Sequence, residues 1–108
     1  MNFQKNTGKT IQEAFETYHK LNPNVFSYFE KYAFEAISTG KKKVSFKMIL
    51  NAVRWQEYIR TSDPIIVTLN NKHHQFKIND AFSSRYSRLF IDKYPQYADK
   101  IELRGLRA

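Results

Sequence analysis

A chain of 108 residues, 42% apolar and 16% aromatic, is long enough to bury the core of one domain and too short to argue for two. Three glycines, three prolines and no self-similar period exclude repeat and linker-rich classes, and zero cysteines exclude disulfides and thiolate metal sites. No apolar run approaches the ~18 residues of a membrane span, the start MNFQKNTGK lacks a signal peptide's apolar region, and the formal charge is +8, so a cytoplasmic protein with an anionic partner is expected.

Residues 1–9 read as a flexible arm. Thr10 and Glu13 form a capping box, and Ile11, Ala14, Phe15, Tyr18 and Leu21 recur at helical spacing, which predicts an N-terminal helical unit over 10–22 with its periodic part at 11–21. Asn22-Pro23 ends it and starts a second helix over 23–39, whose face Val25, Phe26, Phe29, Tyr32, Ala33, Ala36, Ile37 stops at Gly40. KKKV is a short extended piece, and Ser45 caps a third helix over 46–60. Lys47, Asn51, Arg54 and Tyr58 form its single polar stripe, and the remainder, Trp55 included, is assigned to the core.

After Asp63-Pro64, IIVTL and HHQFKI are expected to pair as a hairpin around Asn70-Asn71, residues that tolerate the positive φ of a tight turn. Asn79 or Asp80 then caps a fourth helix over 80–94. With Phe82, Tyr86, Leu89 and Phe90 facing the core, Ser83, Ser84, Arg85, Ser87 and Arg88 are left pointing outward. A short strand follows around 101–104. The expected fold is mainly α with a small β component: four helices plus a short hairpin or sheet in one domain, residues 23–108 forming a winged helix-turn-helix-like unit.

Charge is uneven along this plan. Residues 1–40 and 61–75 each sum to zero, 41–60 carry +5 and 76–108 carry +3, and all six arginines come at or after position 54. Arginine's planar fork suits phosphates and guanine edges, and short serines let a helix approach a backbone. Ser83, Ser84, Arg85, Ser87 and Arg88 are therefore the candidate base contacts, and Lys41, Lys42, Lys43, Lys47, Arg54, Lys77, Arg104 and Arg107 the candidate phosphate contacts. The bland alternative is a solvated helix face. Against it stands the absence of acids between Asp80 and Asp92.

His73-His74 beside a helix suggests a ββα metal nuclease, but no imidazole follows His74, and neither paired carboxylates nor a Gly-rich phosphate loop is present. No enzyme, metal or cofactor is expected. Tyr28, Phe34 and Tyr58 fall off the apolar faces and are candidates for a partner surface, with a homodimer contact expected near helix one.

The segments Val53-Arg54-Trp55, FKIND (76–80), SSRYSRLF (83–90) and ELRGLR (102–107) together resemble a group of small bacteriophage and prophage proteins that carry these motifs in the same order. Asp80 stands where the group's pattern has a second Asn. The resemblance covers about the last 65 residues and implies a phage origin, without a mechanism. The functional expectation is a phage regulator or accessory factor that contacts duplex DNA through helix 80–94 and flanking basic residues. The competing expectations are an interaction protein that inhibits or redirects a host nucleic-acid-associated or defence enzyme, and an RNA binder.

Overall fold

A computed structural model describes residues 8–59 and 64–103. Most of the expected arm over 1–9, and Arg104 and Arg107, lie outside them. In chain order the elements are α1 (Gly8–Leu21), α2 (Pro23–Ser38), α3 (Phe46–Ile59), β1 (Ile66–Leu69), β2 (Lys72–Gln75), α4 (Phe82–Lys93) and a 3-10 turn (Pro95–Lys100). The fold is mainly helical with one small antiparallel sheet. The molecule measures 46 × 38 × 19 Å, about two helix diameters thick.

α1 begins at Gly8, so Thr10 lies within the helix and not at its cap. Asn22 sits where α2 is capped, yet its amide is used elsewhere. Its Nδ2 donates to the carbonyls of Tyr18 (3.2 Å) and Thr68 (3.1 Å), while its Oδ1 accepts from the Thr68 N–H at 2.7 Å. One side chain thereby copies a neighbouring strand and ties the α1–α2 corner to β1.

The hairpin forms around Asn70 and Asn71, at φ 51° and 63°, with Leu69 opposite Lys72, and its second strand covers Lys72–Gln75 and not the expected stretch to Ile78. Two positive φ values in a two-residue loop match the right-handed twist of the strands. Its entry is held at α3, where Glu57 Oε1 accepts from the Ile65 N–H at 2.8 Å. β1 packs on α1 with Val67 buried, while β2 is mostly exposed.

Tyr86 of α4 stands at the centre of the core. Its ring stacks on Phe29 (4.5 Å between centroids) and meets Phe15 edge-on at 4.8 Å. One turn further along α4, Phe90 contacts Phe34, Phe46 and Tyr94. Phe34 and Tyr28 are both half-buried and pack against this core. The chain closes on itself through one parallel bridge, Val44 with Ile101, whose bonds run Val44 N–H to Lys100 O and Glu102 N–H to Val44 O. Among the described residues no helix is long and apolar enough to cross a membrane.

Candidate functional site

α4 is not the outward helix that its Ser/Arg pattern suggests. Ser83, Arg85 and Ser87 are only 6%, 8% and 2% exposed. The serines can be buried because each satisfies its own hydroxyl: Ser83 Oγ donates to the Asp80 carbonyl and Ser87 Oγ to the Ser84 carbonyl, one turn back. With their polar atoms accounted for, they behave as small residues that let α4 lie against Ser45 and Phe46 of the α3 start. Arg85 is covered by α1, its Nε donating to Gln12 Oε1 at 3.1 Å, and Gln12 in turn donates to Glu16. The three are corrected from base-contact candidates to packing residues. Of that set, Arg88 is exposed and Ser84 half-buried.

Arg54 is likewise engaged. Its guanidinium lies 2.5 Å from Asp80 Oδ1 and donates to the Ile78 carbonyl at 2.9 Å, which fastens α3 to the start of α4. That hydrogen bond to Asp80, and then the charge of Arg54, holds the Asp80 carboxyl below the usual carboxylate range. Lys93 is also committed. Glu30 Oε2 accepts from both Lys93 Nζ and Tyr94 Oη, at 2.8 and 2.7 Å, and the bond to Glu30 raises the pKa of both groups.

Four lysines gather at the N-terminal end of α3. Gly40, at φ 88°, turns the chain out of α2 in a conformation that a side chain would strain, and Lys41, Lys42 and Lys43 follow, all exposed. Ser45 Oγ accepts from the Met48 N–H at 3.2 Å and starts α3, whose first turn carries Lys47 and no acid. Lys47 shares a shallow concavity with Asp80 and Ser84, and Arg88 lies one turn beyond Ser84 on α4. Lys41 and Lys43 border the other flank, a groove of about 260 Å³ between α2 and α3, and Ser45 is common to both flanks. Among the described residues no ion pair engages Lys41, Lys42, Lys43, Lys47 or Arg88. Lys41, Lys42, Lys43 and Lys47 add to the positive end of the α3 dipole, with Asp80 and Glu102 as the acids beside Lys47.

Lys77 is exposed but stands elsewhere. It lines a groove of about 590 Å³ formed by α1, the hairpin tip and residues 77–79, where its carbonyl accepts from Tyr18 Oη at 2.8 Å.

One surface was not anticipated. α3 exposes Met48, Ala52, Trp55 and Ile59, so Trp55 is corrected from core to surface, and the Tyr58 ring lies beside it, tilted by 36° at 5.6 Å between centroids. The signal for it is the excess of apolar positions on α3 over what a single face can bury. No protein-family model, no curated protein and no solved structure matches the chain.

Proposed function

We propose that the protein is a small duplex-DNA-binding factor, of the phage regulator or accessory kind, that grips backbone phosphates with the lysines at the α3 N-terminus. The observation that carries this reading is that Lys41, Lys42, Lys43 and Lys47 are exposed without a described ion pair at the start of α3, with Asp80 the acid beside Lys47 and Arg88 exposed on α4. Lysines supply point charges to phosphates, while Ser84 and Arg88 are the α4 side chains that reach solvent beside them. A helix with Arg85 and Ser87 buried cannot lay that face in a major groove. Binding by phosphate contact with little preference for sequence follows.

Fluorescence anisotropy on random duplex DNA across a salt series tests it. The expected result is binding at low salt whose affinity falls with salt, with Lys42→Ala and Lys47→Ala each reducing the logarithmic slope by about one. Arg85→Ala should leave that slope unchanged and lower stability instead. Absence of duplex binding at low salt sinks the reading, and preference for single strands or RNA hairpins over duplex replaces it with RNA recognition.

A further inference from the structure

α3 presents one exposed line of side chains. Lys47, Asn51, Trp55 and Tyr58 follow at spacings of four, four and three, which places them along one side of the helix, and all four are exposed. Trp55 and Tyr58 are 58% and 78% accessible, with their rings 5.6 Å apart between centroids and tilted by 36°. Rings at that separation are already in contact, so the pair is not a slot that closes on a ligand. It offers its outer π faces to whatever lies along the helix. At 1.5 Å per residue, Trp55 stands about 12 Å from Lys47, the length of about three stacked nucleotides of one strand. The line therefore runs from a cation, past an amide, to an aromatic surface.

Charge selects the occupant. Residues 41–60 sum to +5, with Glu57 the only acid among them. Glu57 is two positions from Trp55 and so on the other side of α3, where its carboxylate accepts from the Ile65 N–H. Asp80, the acid beside Lys47, is held by Arg54. A second copy laid on this face would set like charge against like charge, and a purely apolar partner would desolvate Lys47 without a counter-charge. A polyanion that carries flat apolar faces of its own meets both demands, and a nucleic-acid strand is one, with phosphates for the lysines and bases for the rings. The bases have to be unpaired. In a continuous duplex each base is stacked between its neighbours and shows a groove only its edges, so Trp55 and Tyr58 have nothing there to stack on. Resting on the reading that the lysines at the start of α3 grip duplex phosphates, we infer that Trp55 and Tyr58 form a stacking platform for unpaired bases, so that the protein binds where duplex DNA passes into single strand.

The test compares three DNAs by fluorescence anisotropy at one salt concentration. They are a continuous duplex, the same duplex with an internal gap of about five unpaired thymidines, and the same gap made of abasic residues, which keep the phosphates and lose the bases. One stacked base corresponds to a gain of about fivefold or more, so the thymidine gap should bind at least that much tighter than the continuous duplex, and the abasic gap should not. Trp55 is the only tryptophan in the chain, and its emission should be quenched by the thymidine gap and not by the continuous duplex. Trp55→Leu, apolar without a ring, should lose the gain and keep the affinity for continuous duplex, Trp55→Phe should keep part of the gain, and Lys42→Ala should weaken both DNAs by the same factor. Far-UV circular dichroism confirms that each variant is folded. Equal binding of gapped and continuous duplex overturns the inference and leaves the duplex reading standing, and a gain that survives Trp55→Leu or the abasic gap overturns it as well. So does a dimer in sedimentation equilibrium without DNA whose formation shifts Trp55 emission to the blue, since the face then belongs to a second copy. No binding of continuous duplex at low salt, with Trp55 still quenched by a thymidine strand, sinks the duplex reading and leaves the stacking platform in place.

Discussion

The Tyr86 hydroxyl lies inside the aromatic core with no hydrogen-bond partner among the described residues, and burial pushes its ionisation far above the ordinary phenol range. A desolvated hydroxyl without a partner costs about 1–3 kcal/mol, whereas the ring itself contributes fully to packing. Tyr86→Phe should therefore raise stability, by about 1 kcal/mol or several degrees of Tm in a domain of this size, and a lower Tm in thermal denaturation would show that the hydroxyl is paired. His19 presents the same situation with a titration attached. Its ring is packed among Phe15, Phe26 and Tyr86, its Nδ1 is buried without a partner among the described residues, and burial lowers its pKa. The neutral ring is thus favoured in the fold, while the unfolded chain takes up a proton near the ordinary value of about 6.5. Stability from this group is present above that value and is lost as pH falls from there through the lower folded value. Urea midpoints at pH 7.5 and 5 should show the loss. In His19→Gln the part of the slope due to this residue should be gone.

At the scale of elements, α4 carries the clearest consequence of burial. The space around Ser87 beside Ser45 and Phe46 is only about 20 Å³, room for about one water, so Ser87→Leu overpacks the α3–α4 contact. A loss of about 1–3 kcal/mol is expected by chemical denaturation, against almost none if the residue faced solvent. What the sequence made legible were the elements themselves. Apolar periodicity set the helices, Asn70-Asn71 set the turn of a hairpin, and the core face of α4 through Phe82, Tyr86 and Phe90 was correctly assigned. The opposite face of α4 was not legible, because a serine that bonds its own helix is polar in type and small in effect. Nor does a lone arginine announce that α1 will cover it through Gln12. α3 failed in the reverse direction: its apolar residues occupy two faces, and helical spacing does not distinguish the buried one from the one left open. Of the expected site, the lysines at the start of α3 stayed on the surface together, while Arg54 became a fastening between helices.

Across the whole molecule, eighteen bases face ten acids, and among the described residues Arg54 and Lys93 are seen in ion pairs. At about 10 mM salt the screening length is roughly 30 Å, comparable with the 38 and 46 Å dimensions of the fold, so like charges repel across the entire body. At about 150 mM it falls to roughly 8 Å and only immediate neighbours interact. Self-repulsion disfavours the compact state, so chloride salts should raise Tm over this range, the opposite of what a fold held by surface ion pairs would do. Lys42→Ala should raise Tm at low salt, shrink the salt-dependent rise and weaken duplex binding, all in one variant. A cation that costs stability when free and is relieved by either salt or phosphate fits a surface kept for a ligand, at the expense of the fold. If Tm instead falls as chloride is added, the lysine cluster is compensated within the protein, and the electrostatic case for a polyanionic partner fails with it.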